Sequence, residues 1–356
     1  MKMSLRKLTS RFLAVGALIA SSALVLSGCG AVTSGTGGST SSSSANSSES
    51  ATEETGFQLA DYIQERIDAG EPMRIKLSYH DPSLAFATPI KEGMERAATE
   101  LGADVQLIGP TGGDAAKQVA ELQTLIQQKS VDGLAVSSAS SDALKPVIEQ
   151  AVQAGIPIIS FNTDNPDSSQ MGFVGQDLRS SGLAQSEELL KVLGDTKTGK
   201  VVVFSLDTGA GWSHDRFGGF EEGFKDSGLE IVGPVNVGNE PNAAYNTVES
   251  TMAGQSDVVA IAGLDCCSTT AAAQWIEQSG NTGKITMVGF DLLPQTADFI
   301  TNGVVDFTIS QNPGEQGYQA VKVLFDYLND GTTISGVDTG AQFVTLENIA
   351  DATVEG

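Results

Sequence analysis

From about residue 73 onward, short apolar runs alternate with longer stretches in which apolar residues recur every three or four positions. A short apolar run bounded by turn residues predicts a strand, and the three-to-four spacing predicts a helix with one buried face. The pattern predicts helices at residues 88–101, 115–128 and 143–154. It predicts strands at residues 74–79, 103–108, 131–136, 156–161, 200–206, 230–235, 258–262, 285–290 and 305–309. Because most of these strands are apolar throughout, we expect parallel sheets covered by helices on both faces, which makes the fold class α/β.

The two halves of this region resemble each other. In the first half an apolar strand begins beside Asp132, and the following strand ends at Asn162. In the second half the corresponding positions are Asp257 and Asp291. Open parallel sheets bind ligands at the carboxyl ends of their strands, so a polar residue at that position in both units favours a ligand cleft. The alternative is that these residues serve only to begin the loop that follows each strand.

The first 28 residues are basic and then apolar. They carry four basic residues and no acidic residue, and an apolar run extends from Phe12 to Leu26. This pattern predicts a secretory signal peptide, and the run is too short for a stable membrane span. The segment ends in Leu26-Ser27-Gly28-Cys29, which resembles the lipidation site of bacterial lipoproteins, where the cysteine thiol receives the lipid. An ordinary cleaved signal with an incidental cysteine is the alternative.

Residues 29–56 are rich in serine, glycine and threonine and contain few apolar residues. Such a segment is expected to be a flexible tether between the lipid on Cys29 and a folded domain. The signal, the lipid and the tether together predict an extracytoplasmic domain that is anchored to the bacterial cell membrane.

The composition restricts the classes of function. The 356 residues include 44 acidic and 20 basic residues, for a formal net charge of −24, and this acidity argues against nucleic acid as a partner. The two histidines, His80 and His214, are too few for the usual three-ligand zinc site without carboxylates, and they are not spaced as in metalloprotease helices. We therefore expect no metal, no cofactor and no enzymatic activity.

Two of the three cysteines, Cys266 and Cys267, are adjacent in the sequence. If Cys29 carries a lipid, these two have no other cysteine to pair with, although the compartment is oxidising. A vicinal disulfide requires a strained local backbone, whereas two free thiols do not, and the sequence leaves both states open.

Several short motifs occur together in a distinctive order and spacing, although none of them is specific by itself. They are Lys91-Glu92-Gly93-Met94, Val131-Asp132-Gly133-Leu134, Ala154-Gly155-Ile156-Pro157, Arg216-Phe217-Gly218-Gly219-Phe220, Val288-Gly289-Phe290-Asp291 and Gln311-Asn312-Pro313 followed by Gly317. With these motifs, the chain from Met73 onward resembles the type I periplasmic sugar-binding proteins, the ribose-binding-protein-like solute-binding lipoproteins of ABC importers. The resemblance implies two Rossmann-like lobes joined by a three-strand hinge, one at residues 73–175 plus 312–339 and the other at 177–311 plus 340–356. It also implies a monomer that closes on its ligand and serves an ABC permease and its ATPase.

The resemblance also implies which side chains bind the ligand. They are His80, Phe86, Asn162, Asp164, His214, Arg216, Asn242, Asp265, Asp291 and Gln311. Carboxylate, carboxamide and guanidinium groups each engage adjacent hydroxyls of a sugar, and aromatic rings cover its C–H faces. In the family pattern Phe86 corresponds to a stacking aromatic, Asp291 to a strand-end aspartate and Gln311 to a hinge-side glutamine. Asn242 begins a helix and either caps it or binds the ligand.

The chain departs from the ribose-binding pattern at some of these positions. Thr163 and His214 stand where arginines are common, and Ala87 replaces a second stacking aromatic. We therefore expect a small neutral sugar or polyol and do not assign ribose. The alternative function is that of a sensory binding protein, which would report a sugar or a furanone-like signal to a receptor by presenting the closed form. Both functions use the same fold, so the sequence does not separate them.

Overall fold

The computed structural model describes residues 57–352 and residue 354. The predicted signal peptide, the lipidation site at Cys29 and the tether at residues 29–56 lie outside the described residues. Within the described part of the chain, no helix has the length and apolar character needed to cross a membrane.

Strands and helices alternate along the described chain. The strands are β1 (Arg74–Ser78), β2 (Asp104–Ile108), β3 (Gly133–Val136), β4 (Ile158–Phe161), β5 (Phe173–Gly175), β6 (Lys200–Ser205), β7 (Glu230–Asn236), β8 (Val258–Gly263), β9 (Thr286–Phe290), β10 (Phe307–Ser310), β11 (Val337–Asp338) and β12 (Gln342–Thr345). The helices are α1 (Asp61–Asp68), α2 (Ala87–Leu101), α3 (Ala115–Gln128), α4 (Ser141–Gln153), α5 (Leu178–Leu193), α6 (Gly211–Phe224), α7 (Pro241–Ala253), α8 (Cys266–Gln278), α9 (Pro294–Thr301) and α10 (Pro313–Asp330).

The strands form two six-stranded sheets. The first has the order β11-β5-β4-β3-β1-β2 and the second the order β12-β10-β9-β8-β6-β7. Neighbouring strands run parallel, except that β12 is antiparallel to β10. The chain passes from one sheet to the other after β5, after β10 and between β11 and β12. The predicted α/β fold class with two parallel-sheet lobes is confirmed.

Each sheet is covered by helices on both faces. In β6, Val201 and Val203 pack in one apolar cluster with residues of α5 and α6, while Val202 and Phe204 pack in another with residues of α7 and α8. Successive side chains of a strand point to opposite faces, so a strand covered on both sides must be apolar throughout. This packing explains the continuous apolar runs in the sequence.

Helix α1 precedes the first strand, where the sequence pattern predicts no element. Its single fully buried residue is Ile63, which joins the apolar cluster of Leu122, Val131 and Ile156 under the first sheet. An eight-residue helix with one buried residue shows too little periodicity to be recognised from sequence alone.

Two glycines bring helices α5 and α6 into close contact beside the second sheet. A Cβ atom at Gly182 would overlap the backbone oxygen of Arg216, and one at Gly219 would overlap that of Arg179. Larger residues at either position would push the helices apart. The close packing therefore fixes α6, and with it the side chain of Arg216, at the edge of the cleft between the sheets.

Candidate ligand-binding site

A cavity of about 40 Å³ lies between the carboxyl ends of strands from both sheets. The side chains that line it are Tyr79, His80, Leu84, Phe86, Asn162, Thr163, Leu178, Leu206, Trp212, Arg216, Asp265, Cys266, Asp291 and Gln311. We call this space the strand-end cavity.

Asn162 and Asp291 occupy matching places in the two sheets, directly after β4 and β9. Both have left-handed backbone conformations, with φ of 60° and 70° respectively. Among residues other than glycine, asparagine and aspartate adopt this conformation most readily. The backbone therefore restricts the residue type at both strand ends, and each permitted side chain carries polar atoms into the cavity.

The carboxyl group of Asp291 is buried in the strand-end cavity beside Gln311. Gln311 Nε2 donates a hydrogen bond of 2.8 Å to Asp291 Oδ1, and each residue is only 3% exposed. Burial raises the pKa of Asp291 from 3.8 to about 6, while the nearby positive charge of Arg216 and the Gln311 hydrogen bond act in the opposite direction. Asp291 is thus mainly ionised at neutral pH and retains oxygen lone pairs for a ligand.

A chain of hydrogen bonds connects Gln311 with side chains of the first sheet. Gln316 Nε2 donates to the backbone oxygen of Gln311 at 3.0 Å, and Asn162 Nδ2 donates to Gln316 Oε1 at 3.1 Å. Ser137 Oγ donates to Asn162 Oδ1 at 3.0 Å, and His80 Nδ1 lies 2.9 Å from Ser137 Oγ. This series of hydrogen bonds extends from one lobe to the other at a crossover. It therefore couples the orientations of the polar groups that it connects.

Arg216 is buried on the opposite wall of the strand-end cavity, with 2% of its surface exposed. Its Nη1 donates to the backbone oxygen of Leu264 at 2.6 Å, and its guanidinium carbon lies 3.9 Å from the centre of the Phe290 ring. Its Nε is buried and has no hydrogen-bond partner among the described residues. Burial lowers the pKa of Arg216, and the carboxylates of Asp291 and Asp265 oppose that effect. An unpaired buried donor is costly, so a hydroxyl acceptor supplied by a ligand would stabilise this arrangement.

Asp265 lines the strand-end cavity, but its carboxylate already accepts four hydrogen bonds. The donors are the backbone nitrogens of Leu206, Cys267 and Ser268 and the hydroxyl of Ser268, at 2.7–2.9 Å. Asp265 is the N-cap of α8 and also holds the loop that follows β6. Its main contribution is therefore to fix the cavity wall.

His80 is half-buried at the edge of the strand-end cavity. Burial lowers its pKa from 6.5 to about 4, although the nearby carboxylates of Asp81 and Asp207 favour protonation. The ring is thus uncharged at neutral pH. A neutral imidazole can donate one hydrogen bond and accept another, which suits a hydroxyl.

The remaining walls of the cavity are apolar, and they bring the two lobes into contact. Cys266 and Leu293 of the second lobe belong to the same apolar cluster as Tyr79 and Phe86 of the first. Trp212 packs beside Leu178 and Leu206 in a separate small cluster. These surfaces provide faces on which the C–H groups of a ligand can lie.

Cys266 and Cys267 are free thiols, with their sulfur atoms 3.4 Å apart. Within the described ranges, these two residues and Asp265 form the single group whose donor atoms lie close enough together to hold a metal ion. The Asp265 oxygens are committed to hydrogen bonds, and the Cys267 contact together with burial raises the pKa of Cys266 well above its usual value. Metal binding requires thiolates, so this arrangement does not favour a metal site.

The sequence profile of a family described as the periplasmic binding protein domain matches residues 75–333, a range that includes most of both sheets. The chain belongs to the periplasmic binding protein family. The predicted resemblance to type I periplasmic sugar-binding proteins is thereby confirmed. The expectation of a binding protein instead of an enzyme is confirmed as well, because the family members compared below are binding proteins.

The chain is similar in sequence to named relatives and similar in fold to a solved structure. The xylose/arabinose-binding protein XylF of Sulfolobus acidocaldarius is 28% identical over 287 residues, which cover 76% of this chain and 70% of that protein. The D-allose-binding periplasmic protein of Escherichia coli is 24% identical over 273 residues, which cover 74% of this chain and 87% of that protein. A solute-binding protein of Burkholderia graminis, solved in complex with D-arabinose, has a TM-score of 0.75 at 23% identity and covers 79% of this chain and 98% of its own.

The structure of the periplasmic binding protein brings seven of the ten predicted ligand-binding residues to one cavity. They are His80, Phe86, Asn162, Arg216, Asp265, Asp291 and Gln311. Asp164 points elsewhere, because it accepts hydrogen bonds from Gln170 Nε2 and from its own neighbour Asn165. His214 and Asn242 are exposed and do not line the cavity, and the N-cap of α7 is Glu240 instead of Asn242.

The sequence did not single out some residues that shape this site. Gln316 and Ser137 link the polar groups of the two lobes, and Leu206 and Leu178 contribute apolar walls. Leu206 directly follows β6, and Leu178 begins α5 just after the first crossover, so both lie near the carboxyl end of a strand. Nothing in the local sequence marks Gln316 or Ser137.

The opposite pKa shifts of His80 and Asp291 predict opposite effects of pH on stability. The folded state disfavours protonated His80, so its contribution is present above pH 6.5 and is lost as the pH falls toward 4. The folded state favours protonated Asp291, so its contribution is present below pH 3.8 and is lost as the pH rises through about 6. In the unmodified protein, the contributions of His80 and Asp291 to stability change in opposite directions and largely cancel between pH 4 and 6.

Single variants separate the two contributions. In Asp291→Asn only the His80 contribution remains. As the pH drops from 6 to 4.5, we expect the free energy of unfolding of this variant to fall more steeply than that of the unmodified protein, by about 1 kcal/mol per pH unit. His80→Gln is expected to change the slope by a similar amount in the opposite direction. Urea unfolding of the unmodified protein and of both variants across this range measures the slopes. Equal slopes in all three proteins would contradict the assignment of these pKa values.

Proposed function

We propose that this protein is an extracytoplasmic solute-binding lipoprotein that captures a small neutral sugar or polyol between two closing lobes and delivers it to an ABC permease and its ATPase. The observation that carries the proposal is the strand-end cavity, which is lined by polar groups from both lobes that suit the hydroxyls of a sugar. We place the lobes at residues 73–175 plus 312–339 and 177–311 plus 340–356, in keeping with the three crossovers between the sheets.

The chemistry of the strand-end cavity matches that of a sugar. Asp291 accepts hydrogen bonds, Arg216 donates them, and the carboxamides of Asn162 and Gln311 do both. Adjacent hydroxyls of a sugar or polyol also donate and accept hydrogen bonds, so each hydroxyl can pair with one of these side chains. The C–H faces of the ligand would lie against Trp212 and the other apolar walls.

The charges in the cavity favour a neutral ligand over an anionic one. Two carboxylates, those of Asp265 and Asp291, face one guanidinium group, that of Arg216. An anion would therefore meet more negative than positive charge in a buried space, where charge interactions are strong. The sugars in the names of the relatives, namely xylose, arabinose and allose, are neutral and support the same ligand class.

Binding and lobe closure are expected to be coupled. A ligand that contacts Asn162 of one lobe and Asp291 of the other gains the full set of contacts only when the lobes are together. Its differential affinity for that state shifts the population toward closure, and a permease can recognise the closed form. The membrane anchor in this proposal is a lipid on Cys29, and the protein acts as a monomer. The sensory alternative gains no support from the relatives reported above.

A thermal-shift screen tests the proposal. We expect at least one of D-xylose, L-arabinose, D-ribose, D-allose, D-galactose and xylitol to raise Tm by about 5 °C at saturating concentration, because a ligand that binds only the folded state stabilises it. L-leucine and L-glutamate, which carry charged groups, serve as a contrasting panel. Stabilisation by the amino acids and by none of the sugars or polyols would overturn the ligand class.

A further inference from the structure

A second, larger cavity of about 610 Å³ lies beside the strand-end cavity and also spans the two lobes. Ser83, Leu84, Ala85 and Thr88 of the first lobe form one side. Residues at the starts of α7 and α9 and along α8, all in the second lobe, form the other side. We call this space the mouth groove. None of the proposed ligand contacts occupies it.

The mouth groove adjoins the strand-end cavity. Leu84 and Cys266 line both spaces, so these two side chains form the boundary between them. Within the described chain, no residue of the three crossovers lines the groove, whereas Gln311 lines the strand-end cavity. The groove therefore extends from the cavity on the side away from the crossovers. A ligand group that continued past Cys266 would enter it.

The lining of the mouth groove carries no charge. None of its described residues is acidic, basic or a histidine, although the chain as a whole has a formal net charge of −24. A neighbouring cavity, by contrast, is lined by Asp164, Asp177 and Asp215 among others. An uncharged concave surface on so acidic a protein favours a neutral occupant, since a charged one would lose hydration without gaining an ionic partner.

The polar groups of the groove are of the kind that pairs with hydroxyls. Carboxamides are provided by Asn239, Gln274 and Gln295, and each has donors and acceptors. Leu293 and Pro294 supply apolar surface between them. The amide groups can pair with hydroxyls, and the apolar surface can cover C–H groups. The strand-end cavity suits a sugar ring in the same way, but it also contains charged side chains.

We propose that the mouth groove binds the second ring of a neutral disaccharide whose first ring lies in the strand-end cavity. The inference rests on the proposed function, because the first ring must occupy the sugar site. The second ring would contact Ser83 and Thr88 of one lobe and Gln274 and Gln295 of the other, so it would add to the energy that favours closure. The protein thus takes short neutral oligosaccharides in preference to their component monosaccharides.

Isothermal titration calorimetry with matched pairs tests the proposal. The pairs are D-xylose with xylobiose, D-glucose with cellobiose and maltose, and D-galactose with lactose. We expect at least one disaccharide to bind about tenfold more tightly than its monosaccharide, which corresponds to one or two additional net hydrogen bonds. The double variant Gln274→Ala/Gln295→Ala should lose that advantage and keep the affinity for the monosaccharide. Gln278→Ala, an exposed glutamine one turn along the same helix and outside the groove, is the matched control and should retain both affinities.

Two results would overturn this proposal while leaving the proposed function intact. One is monosaccharide binding with every disaccharide weaker or inactive. The other is a disaccharide advantage that survives in the double variant. If none of these sugars binds, the result contradicts the proposed function, and the mouth-groove proposal that rests on it is contradicted as well.

Discussion

Replacing Asp291 by asparagine is expected to weaken sugar binding by about 100-fold. The carboxylate provides charge-assisted hydrogen bonds to hydroxyls, and an amide both lacks the charge and places a donor where an acceptor was. Asparagine tolerates the left-handed backbone at this position, where φ is 70°, so the fold should be preserved. Calorimetric titration of the best sugar from the thermal-shift screen measures the loss.

The pH dependence of binding provides an independent readout for the same variant. Because the pKa of Asp291 is about 6, the unmodified protein should bind about tenfold more weakly at pH 5 than at neutral pH. His80, with a pKa of about 4, stays uncharged over that range. The Asp291→Asn variant should show a nearly flat profile.

Asp257→Asn is the matched control for this experiment. Asp257 also has a left-handed backbone, with φ of 58°, but it is exposed and lies outside the strand-end cavity. Its replacement should leave both the affinity and its pH dependence unchanged. Unaltered binding by Asp291→Asn would remove Asp291 from the ligand site.

The second large effect is expected at Arg216. In Arg216→Met, a side chain of similar length keeps the contact with Phe290 but removes the buried donors, so we expect sugar affinity to fall by about 100-fold. The loss of the positive charge also removes the main influence that opposes the raised pKa of Asp291. Any binding that remains should therefore weaken at a higher pH than in the unmodified protein.

Arg179→Met separates this effect from a general loss of charge. Arg179 is 61% exposed, lies on the adjoining helix and pairs with Glu222 at 2.7 Å. Its replacement should change stability by less than about 1 kcal/mol and leave binding unaffected. A residual pH profile in Arg216→Met that matched that of the unmodified protein would contradict the electrostatic coupling of Arg216 and Asp291.

The strand-end residues of the cleft are predictable because sheet geometry determines where they go. Strands in a parallel sheet deliver their carboxyl ends to one edge, so Asn162 and Asp291 reach the cleft whatever the details of the helices. Residues contributed by helices depend on helical phase. Trp212 and Arg216 are four positions apart and share the face toward the cleft, whereas His214 lies between them and is exposed. The spacing of Trp212 and Arg216 would have excluded His214.

Other parts of the site depend on contacts that no local pattern reports. Gln316 reaches Asn162 across 154 positions of sequence, and it does so only because α10 packs under the first sheet. Asp265 matches a ligand position in the sequence pattern, yet its oxygens are occupied by the N-cap of α8 and by Leu206. Side chains of the same type thus take structural or ligand-facing roles according to neighbours that only the folded chain defines.

The left-handed backbone at the two matching strand ends also limits how the preference of this protein for one ligand over another can be altered. Glutamate or a β-branched residue at position 162 or 291 would carry a backbone penalty of about 1–2 kcal/mol, so the permitted substitutions are few. Phe86, with φ of −59°, carries no such backbone restriction. A designer who wants a biosensor for another sugar would therefore keep the two strand-end residues and diversify the walls around them.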